Sequence, residues 1–225
     1  MLAATLYELA RARREKRPVA LATRLDGKDE RLIFPDTEEM DDPLLESARG
    51  ALRTDKGSTV EIDGAEWFVN PFNPPLRLLI VGAVHIAQAL SSMARTAGYD
   101  VTVIDPRTAF ASEDRFPGIA LVDEWPDEAM ERLAPDTRTA VVTLTHDPKL
   151  DDPALHVALT SPCFYIGALG SKKTQGTRVE RLKAAGFDEA AIERIHGPVG
   201  LAIGGRSPAE IAISILAQMT AVLRG

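Results

Sequence analysis

Leu78-Leu79-Ile80-Val81-Gly82-Ala83-Val84-His85-Ile86-Ala87 is the stretch on which the reading of this chain turns. Four consecutive apolar residues are too continuous for a strand with one wet face and suit a strand buried on both sides of a parallel sheet. Gly82 then supplies a tight turn, and residues 86–97 repeat apolar side chains at helical spacing up to Gly98, a natural helix stop. Downstream the pattern continues, with candidate strands at 101–104, 119–122, 139–144 and 164–166 and candidate helices at 127–133, 153–159, 174–185, 189–195 and 208–223. Such alternation forces parallel pairing through right-handed crossovers, so the expected fold class is α/β with a Rossmann-like doubly wound parallel sheet. The last helix has the clearest start: Ser207 as N-cap, Pro208 at the first helical position and Glu210 completing a capping box.

Upstream the pattern changes. Residues 2–15 predict a helix with Leu2, Leu6 and Leu9 on one face and Arg11, Arg13, Arg14 and Lys16 at its C-terminal end, where the dipole favours cations. Segments 19–23 and 31–34 pair around Asp26-Gly27, and 59–62 with 66–69 around Asp63-Gly64, because Asp-Gly suits the positive φ of a hairpin turn. Between them Asp42 and Pro43 read as N-cap and first residue of a helix carrying Leu44, Leu45, Ala48 and Leu52 on one stripe. Three prolines and two asparagines at 70–75 exclude regular structure and mark a boundary. The expected organisation is a small α+β domain at 1–72 and the Rossmann-like domain at 73–225.

The chain has 225 residues, 45% hydrophobic and 26% charged, the balance of an ordered globular protein. A net charge of -7 argues against a nucleic-acid binder, which needs surplus Lys and Arg to displace counterions. A single cysteine, Cys163, excludes an internal disulfide framework and fits a reducing compartment. The opening residues lack the apolar core of a signal peptide, and no run approaches the roughly 18 apolar residues of a membrane helix, so the expectation is a cytoplasmic protein without membrane insertion.

Chemistry concentrates at the ends of the predicted strands. Gly82 and Ala87 satisfy the outer positions of the dinucleotide fingerprint, and Asp105 stands about 20 residues on, where a ribose-binding acid belongs. Val84 occupies the middle glycine position, where overpacking of about 1–3 kcal/mol would weaken a dinucleotide roughly fivefold to 150-fold. Asp105 and Arg107 read a ribose hydroxyl and a phosphate, or form a surface ion pair. His85 opens the first helix of this domain beside Gly82 and either donates to a ligand or caps local backbone. Gly167, Gly170, Ser171, Lys172 and Lys173 form a strand-to-loop segment with the flexible backbone, hydroxyl and ammoniums of a phosphate site, against the plainer reading of a loop with solvated lysines.

Residues 196–206 are too glycine-rich for a strand and too apolar for a surface linker. They either face a ligand or a partner subunit, with Gly204, Arg206 and the start of the last helix favouring an anion, or pack under the sheet. His146, Asp147, Asp151 and Asp152 lie after the strand ending at Leu144, where they could hold a hard cation or orient a cofactor, although their spacing matches no strict metal motif; Asp152 before Pro153 reads more simply as an N-cap. His156 is read as structural and Cys163 as a buried thiol rather than a sulfur carrier. No nucleophile elbow, Walker loop, zinc-protease helix or general acid/base pair is present.

Three blocks in order, LTHDPKLDDPAL at 144–155, YIGALGSKKTQGTRVERLKAAGF at 165–187 and RIHGPVGLAIGGRSPAEIAISILAQ at 194–218, carry a resemblance to the XdhC/CoxI family, the xanthine dehydrogenase accessory factors that mature molybdenum hydroxylases. The resemblance implies a cofactor chaperone rather than a catalyst. Such a protein binds the molybdenum cofactor (molybdopterin), cooperates with a sulfur-donating cysteine desulfurase, delivers the cofactor to a molybdenum hydroxylase apoenzyme and forms a homodimer. The family's turn has glycine where this chain has Val84, its N-terminal domain has glycine-rich segments and often a cysteine that are missing here, and a glutamate is common where Gln218 stands. The cofactor-binding residues expected are Gly82, His85, Asp105, Arg107, His146, Gly167, Gly170, Ser171, Lys172, Lys173, Gly204 and Arg206. An NAD(P)-dependent oxidoreductase is the first alternative, and an interaction scaffold with a decayed site the second.

Overall fold

The computed structural model describes residues 2–36 and 43–225, and the chain forms two compact units, Met1–Pro74 and Pro75–Gly225. The first unit runs α1 (Ala3–Arg14), β1 (Val19–Arg24), β2 (Glu30–Ile33), α2 (Leu45–Thr54), β3 (Ser58–Ile62) and β4 (Ala65–Phe72). Its strands form an antiparallel sheet in the order β2-β1-β4-β3. Both Asp-Gly hairpins form, with Gly27 at φ 75° and Asp63 and Gly64 at 51° and 71°. Leu44, Leu45, Ala48 and Leu52 are buried as one stripe against Ala20, Ala22, Trp67 and Val69. Asp42, expected to cap α2, lies outside the described residues, and the observed N-cap is Leu44.

Two expectations for this unit fail. Leu2 and Leu6 are exposed, and α1 instead buries Leu9 and Ala12 with Val19, so its inward stripe is shifted around the helix. The proline-rich segment is not wholly irregular: Pro71 lies in β4 opposite Ala20 of β1. Pairing between β3 and β4 stops at Val69, which leaves one flank of β4 open beside Pro71, the place where a residue without an N–H is tolerated.

The second unit contains β5 (Arg77–Val81), α3 (His85–Thr96), β6 (Asp100–Ile104), β7 (Ala120–Val122), α4 (Pro126–Leu133) and β8 (Thr139–Thr143). It continues through α5 (Pro148–Thr160), β9 (Tyr165–Ala168), α6 (Lys172–Ala184), α7 (Glu189–Glu193), β10 (Ile195–His196) and α8 (Pro208–Arg224). All six strands are parallel, in the order β10-β9-β8-β5-β6-β7. This is the expected Rossmann-like α/β architecture. Alternate residues of each strand feed two cores: Leu78, Ile80, Val101 and Val142 pack with α3 and α8, whereas Leu79, Val81, Val141 and Ile166 pack with α4, α5 and α6. The chain moves outward from β5 to β7 and then returns to β8 on the other side, so the order reverses between β5 and β8.

Helix starts differ from expectation where a polar residue caps earlier than the apolar pattern suggests. Helix α5 begins at Pro148, with Asp147 accepting from the Lys149 N–H, so Pro153 lies inside the helix and Asp152 is not its cap. Helix α6 begins at Lys172 because the Ser171 Oγ accepts from the Thr174 N–H. Helix α7 stops at Glu193, and Ile195 and His196 pair with Ile166 and Gly167 as a sixth strand, in place of the expected helix and glycine loop. The capping box of α8 forms as expected.

Candidate functional site

Because the strands are parallel, the segments following β5, β6, β8, β9 and β10 share the carboxyl edge of the sheet, where ligands of open α/β sheets bind. At the turn after β5, Gly82 has φ 106°, and a Cβ there would meet the Thr145 Cγ2 at 2.5 Å. Glycine is therefore required by conformation and by the close passage of the β8 loop. Val84 is the extended N-cap of α3 and packs partly against the sheet core, and His85 is exposed at the first helical position.

Asp105 controls this turn from inside. Its side chain is 0% exposed, and it accepts from the Ala83 N–H at 2.8 Å, from the Arg107 N–H at 3.0 Å, and from the Arg107 Nε and Nη2 at 2.8 and 2.7 Å. Burial alone would raise its carboxyl, but the Arg107 and Ala83 hydrogen bonds override it and hold the group below the ordinary carboxylate value. Asp105 thus faces inward and consumes the turn's own amide; it is not turned out toward a ribose, and its ion pair with Arg107 is buried on the carboxylate side and 40% exposed on the guanidinium side. Arg107 is 40% exposed and lies 4.7 Å from the centroid of the Phe110 ring.

A second arrangement lies beyond β8 and β9. His146 adopts φ 62°, unusual without glycine, and is held there by the buried Asp151, which accepts from the Thr145 and His146 N–H groups at 3.3 and 3.1 Å and from the Thr145 hydroxyl at 2.7 Å. Burial pushes the Asp151 carboxyl up more strongly than these hydrogen bonds and the Arg178 charge pull it down. The Arg178 side chain, only 2% exposed, donates from Nη1 to the Gln175 Oε1 at 2.5 Å and from Nη2 to the Leu169 carbonyl at 2.8 Å; its Nη2 is 4.0 Å from Asp151. The Arg178 Nε has no hydrogen-bond partner. Arg181 is paired with Asp152 at 2.5 and 2.9 Å. Together His146, Pro148, Asp151, Lys173, Thr174, Thr177, Arg178 and Arg181 line a cleft of about 250 Å³ between the start of α5 and α6.

Of the residues singled out in the sequence, His146 and Lys173 meet in this cleft, while Gly82, Asp105 and Arg107 form the separate, internally satisfied turn. Ser171 and Lys172 start a helix rather than lying in a loop, and the Ser171 hydroxyl is committed to Thr174. Gly167 is buried in β9, where a Cβ would strike Val199 at 2.5 Å, and Gly170 passes against Thr174, so both glycines serve packing. Beyond His196, Val199 donates to the Ala168 carbonyl, Gly200 to Gln218 and Leu201 to the Ser214 carbonyl; the first half of this loop packs on β9 and α8. Gly204 and Arg206 are exposed, but the Arg206 and Ser207 N–H groups donate to the Glu210 carboxylate, which occupies the start of α8 in place of an outside anion.

His156 lies in α5 against Phe187, and Cys163 is buried, its thiol pushed up by that burial. Thr174, Thr177, Arg178 and Arg181 were not singled out, although with Lys173 their spacing of three and four residues places them along one side of a helix. Among the described residues there is no cluster of three or more potential metal ligands, and no helix is long and apolar enough to cross a membrane.

Residues 78–219 match the family described as the XdhC Rossmann domain. The chain is similar to the molybdenum cofactor insertion chaperone PaoD of Escherichia coli, with 33% identity over 151 residues covering 67% of this chain and 41% of that protein. It is also similar to a probable xanthine dehydrogenase subunit from Bacillus subtilis, with 29% identity over 153 residues covering 68% of this chain and 44% of that one. The chain therefore spans less than half the length of these two relatives. A crystal structure described as a xanthine dehydrogenase from Bacillus halodurans shares the fold, with a TM-score of 0.71 and 23% identity over 97% of this chain and 63% of that one.

Proposed function

The chain belongs to the XdhC family, and on that premise we propose that it is a maturation factor that binds the molybdenum cofactor at the carboxyl edge of its parallel sheet and delivers it to a molybdenum hydroxylase apoenzyme. The supporting observation is that the domain matched to this family, in a chain similar to a relative named as a molybdenum cofactor insertion chaperone, carries a cleft lined by Lys173, Arg178 and Arg181 at that edge. The cofactor is a phosphate-bearing pterin, and Lys173, Arg178 and the exposed Arg107 are side chains that attract an anion there. In this role the protein's own work is to hold and release. It needs no general acid/base pair.

The reading extends to two further partners, a sulfur-donating cysteine desulfurase and a second copy of the chain. A nicotinamide dinucleotide is disfavoured as the ligand because the Asp105 carboxylate is wholly buried on Ala83 and Arg107. The test incubates the purified chain with molybdenum cofactor, removes unbound material and measures retained molybdenum and pterin, then adds an apo-hydroxylase. Retention followed by recovery of hydroxylase activity is expected; absence of either element from the washed protein would refute the carrier role.

A further inference from the structure

In the cleft between α5 and α6 the positive charge is only partly used up internally: the Arg178 Nη2 lies 4.0 Å from the Asp151 carboxylate that lines the same cleft. Arg181 is neutralised by Asp152, and both Asp151 oxygens are engaged by Thr145 and His146. Lys173 is exposed and has no carboxylate partner among the described residues. Arg178 is nine-tenths buried by a wide margin, lines the cleft and keeps one guanidinium N–H unpartnered. Leaving such a buried donor unmet costs about 1–3 kcal/mol.

Size narrows the occupant. At about 250 Å³ the cleft lies below the roughly 300–1,000 Å³ of pockets that enclose whole small ligands, so it suits one part of a larger molecule. With Arg181 neutralised by Asp152, an exposed ammonium and a buried guanidinium from one helix face the Asp151 carboxylate alone, which leaves the lining with a net positive charge that favours an anion. The first turn of α6 adds the positive end of its dipole on the same side.

We propose that this cleft is the seat of a terminal phosphate, a phosphate monoester dianion, held by the Lys173 ammonium and the Arg178 guanidinium with Thr174 and Thr177 beside them. The identity of the molecule bearing that phosphate rests on the carrier function above; the seat itself rests on the cleft. The pterin body then lies outside the cleft, along the strand ends.

The deciding experiment titrates the full chain with inorganic phosphate by calorimetry, with acetate as the monoanion control. Saturable phosphate binding is expected, with acetate weaker, and Lys173→Ala, a change at an exposed side chain, should weaken phosphate by about tenfold or more. Arg178→Lys should weaken it as well, but because that residue is buried the exposed variant carries the decision. Absence of saturable binding, acetate binding as tightly as phosphate, or no change in Lys173→Ala overturns the seat. A parallel arm with molybdopterin separates the two readings. Cofactor retained equally by wild type and Lys173→Ala overturns the seat and leaves the carrier function standing. Phosphate bound by wild type and lost in Lys173→Ala, with no cofactor retained by either, supports the seat and removes the carrier function.

Discussion

The turn after β5 and the cleft beyond β8 and β9 occupy the same edge of one sheet, yet they treat their polar groups in opposite ways. At the turn, a buried carboxylate takes up an amide and two donors of a guanidinium that itself stays 40% exposed. In the cleft, one carboxylate is spent on the backbone of its own loop and a neighbouring guanidinium is left with an open donor. A fingerprint written in glycines therefore identifies the tighter structure, whereas the place with capacity left for a ligand is identified by charges that packing fails to pair.

The contrast is sharpest at Gly82. Gly82→Ala would place a Cβ against Thr145 at a φ that disfavours side chains, and Thr145 cannot rotate away without breaking its bond to Asp151. The expected loss is about 2–5 kcal/mol of stability, read from urea unfolding, together with disturbance of the cleft through the shared Thr145 loop. A variant as stable as wild type would break the link between the two regions.

The two buried carboxylates differ in the sign of their pH dependence. Asp105 has a folded pKa below its unfolded value of about 3.9, so its contribution is complete above that pH and lost as pH falls through the folded value. Asp151 is shifted up, so its contribution is complete below about pH 3.9 and lost as pH rises through its folded value. Asp105→Asn should cost about 1–3 kcal/mol at neutral pH by leaving an amide or guanidinium unmet, and it should flatten the acid-side decline. Asp151→Asn should instead remove the decline on the rising side. Urea midpoints measured from about pH 3 to pH 7 test both: the stability difference between wild type and variant should rise with pH for Asp105→Asn and fall with pH for Asp151→Asn, and trends of the same sign would contradict the assignment.

The smallest effect concerns Val84. Restoring the fingerprint with Val84→Gly is expected to cost about 1 kcal/mol in stability and to create no tight NAD site, because the Ala83 amide and the Asp105 carboxylate remain engaged with each other. Micromolar NAD binding by the variant, followed by fluorescence of the reduced cofactor, would show that steric obstruction rather than internal satisfaction closes the turn.

Much of the fold is legible in the sequence because it depends on local rules. The apolar run 78–81, the two Asp-Gly turns and the Ser207 capping box each specify their own neighbourhood. Errors arise where a local signal competes with a tertiary one. Pro153 suggests a helix start, but Asp147 and Pro148 have already begun α5, and Pro71 suggests a break where an open strand flank accepts it. His146 and Lys173 are recognisable because polar residues just past buried strands are conspicuous. Arg178 is not, because a cation in the middle of a polar helix reads as solvated until packing places it under its neighbours.

The sequence by itself determined the parallel architecture, the capping box of α8 and the tight turn at Gly82, since each follows from periodicity, capping chemistry or local φ. Only the tertiary structure decided which charges are spent and which are left. Ala83 and Asp105 are 22 residues apart in the chain, and Arg178 approaches Asp151 from a different helix. Desolvation and hydrogen-bond satisfaction depend on what surrounds a group in space, and that surrounding is assembled only when the strands align and the helices pack upon them.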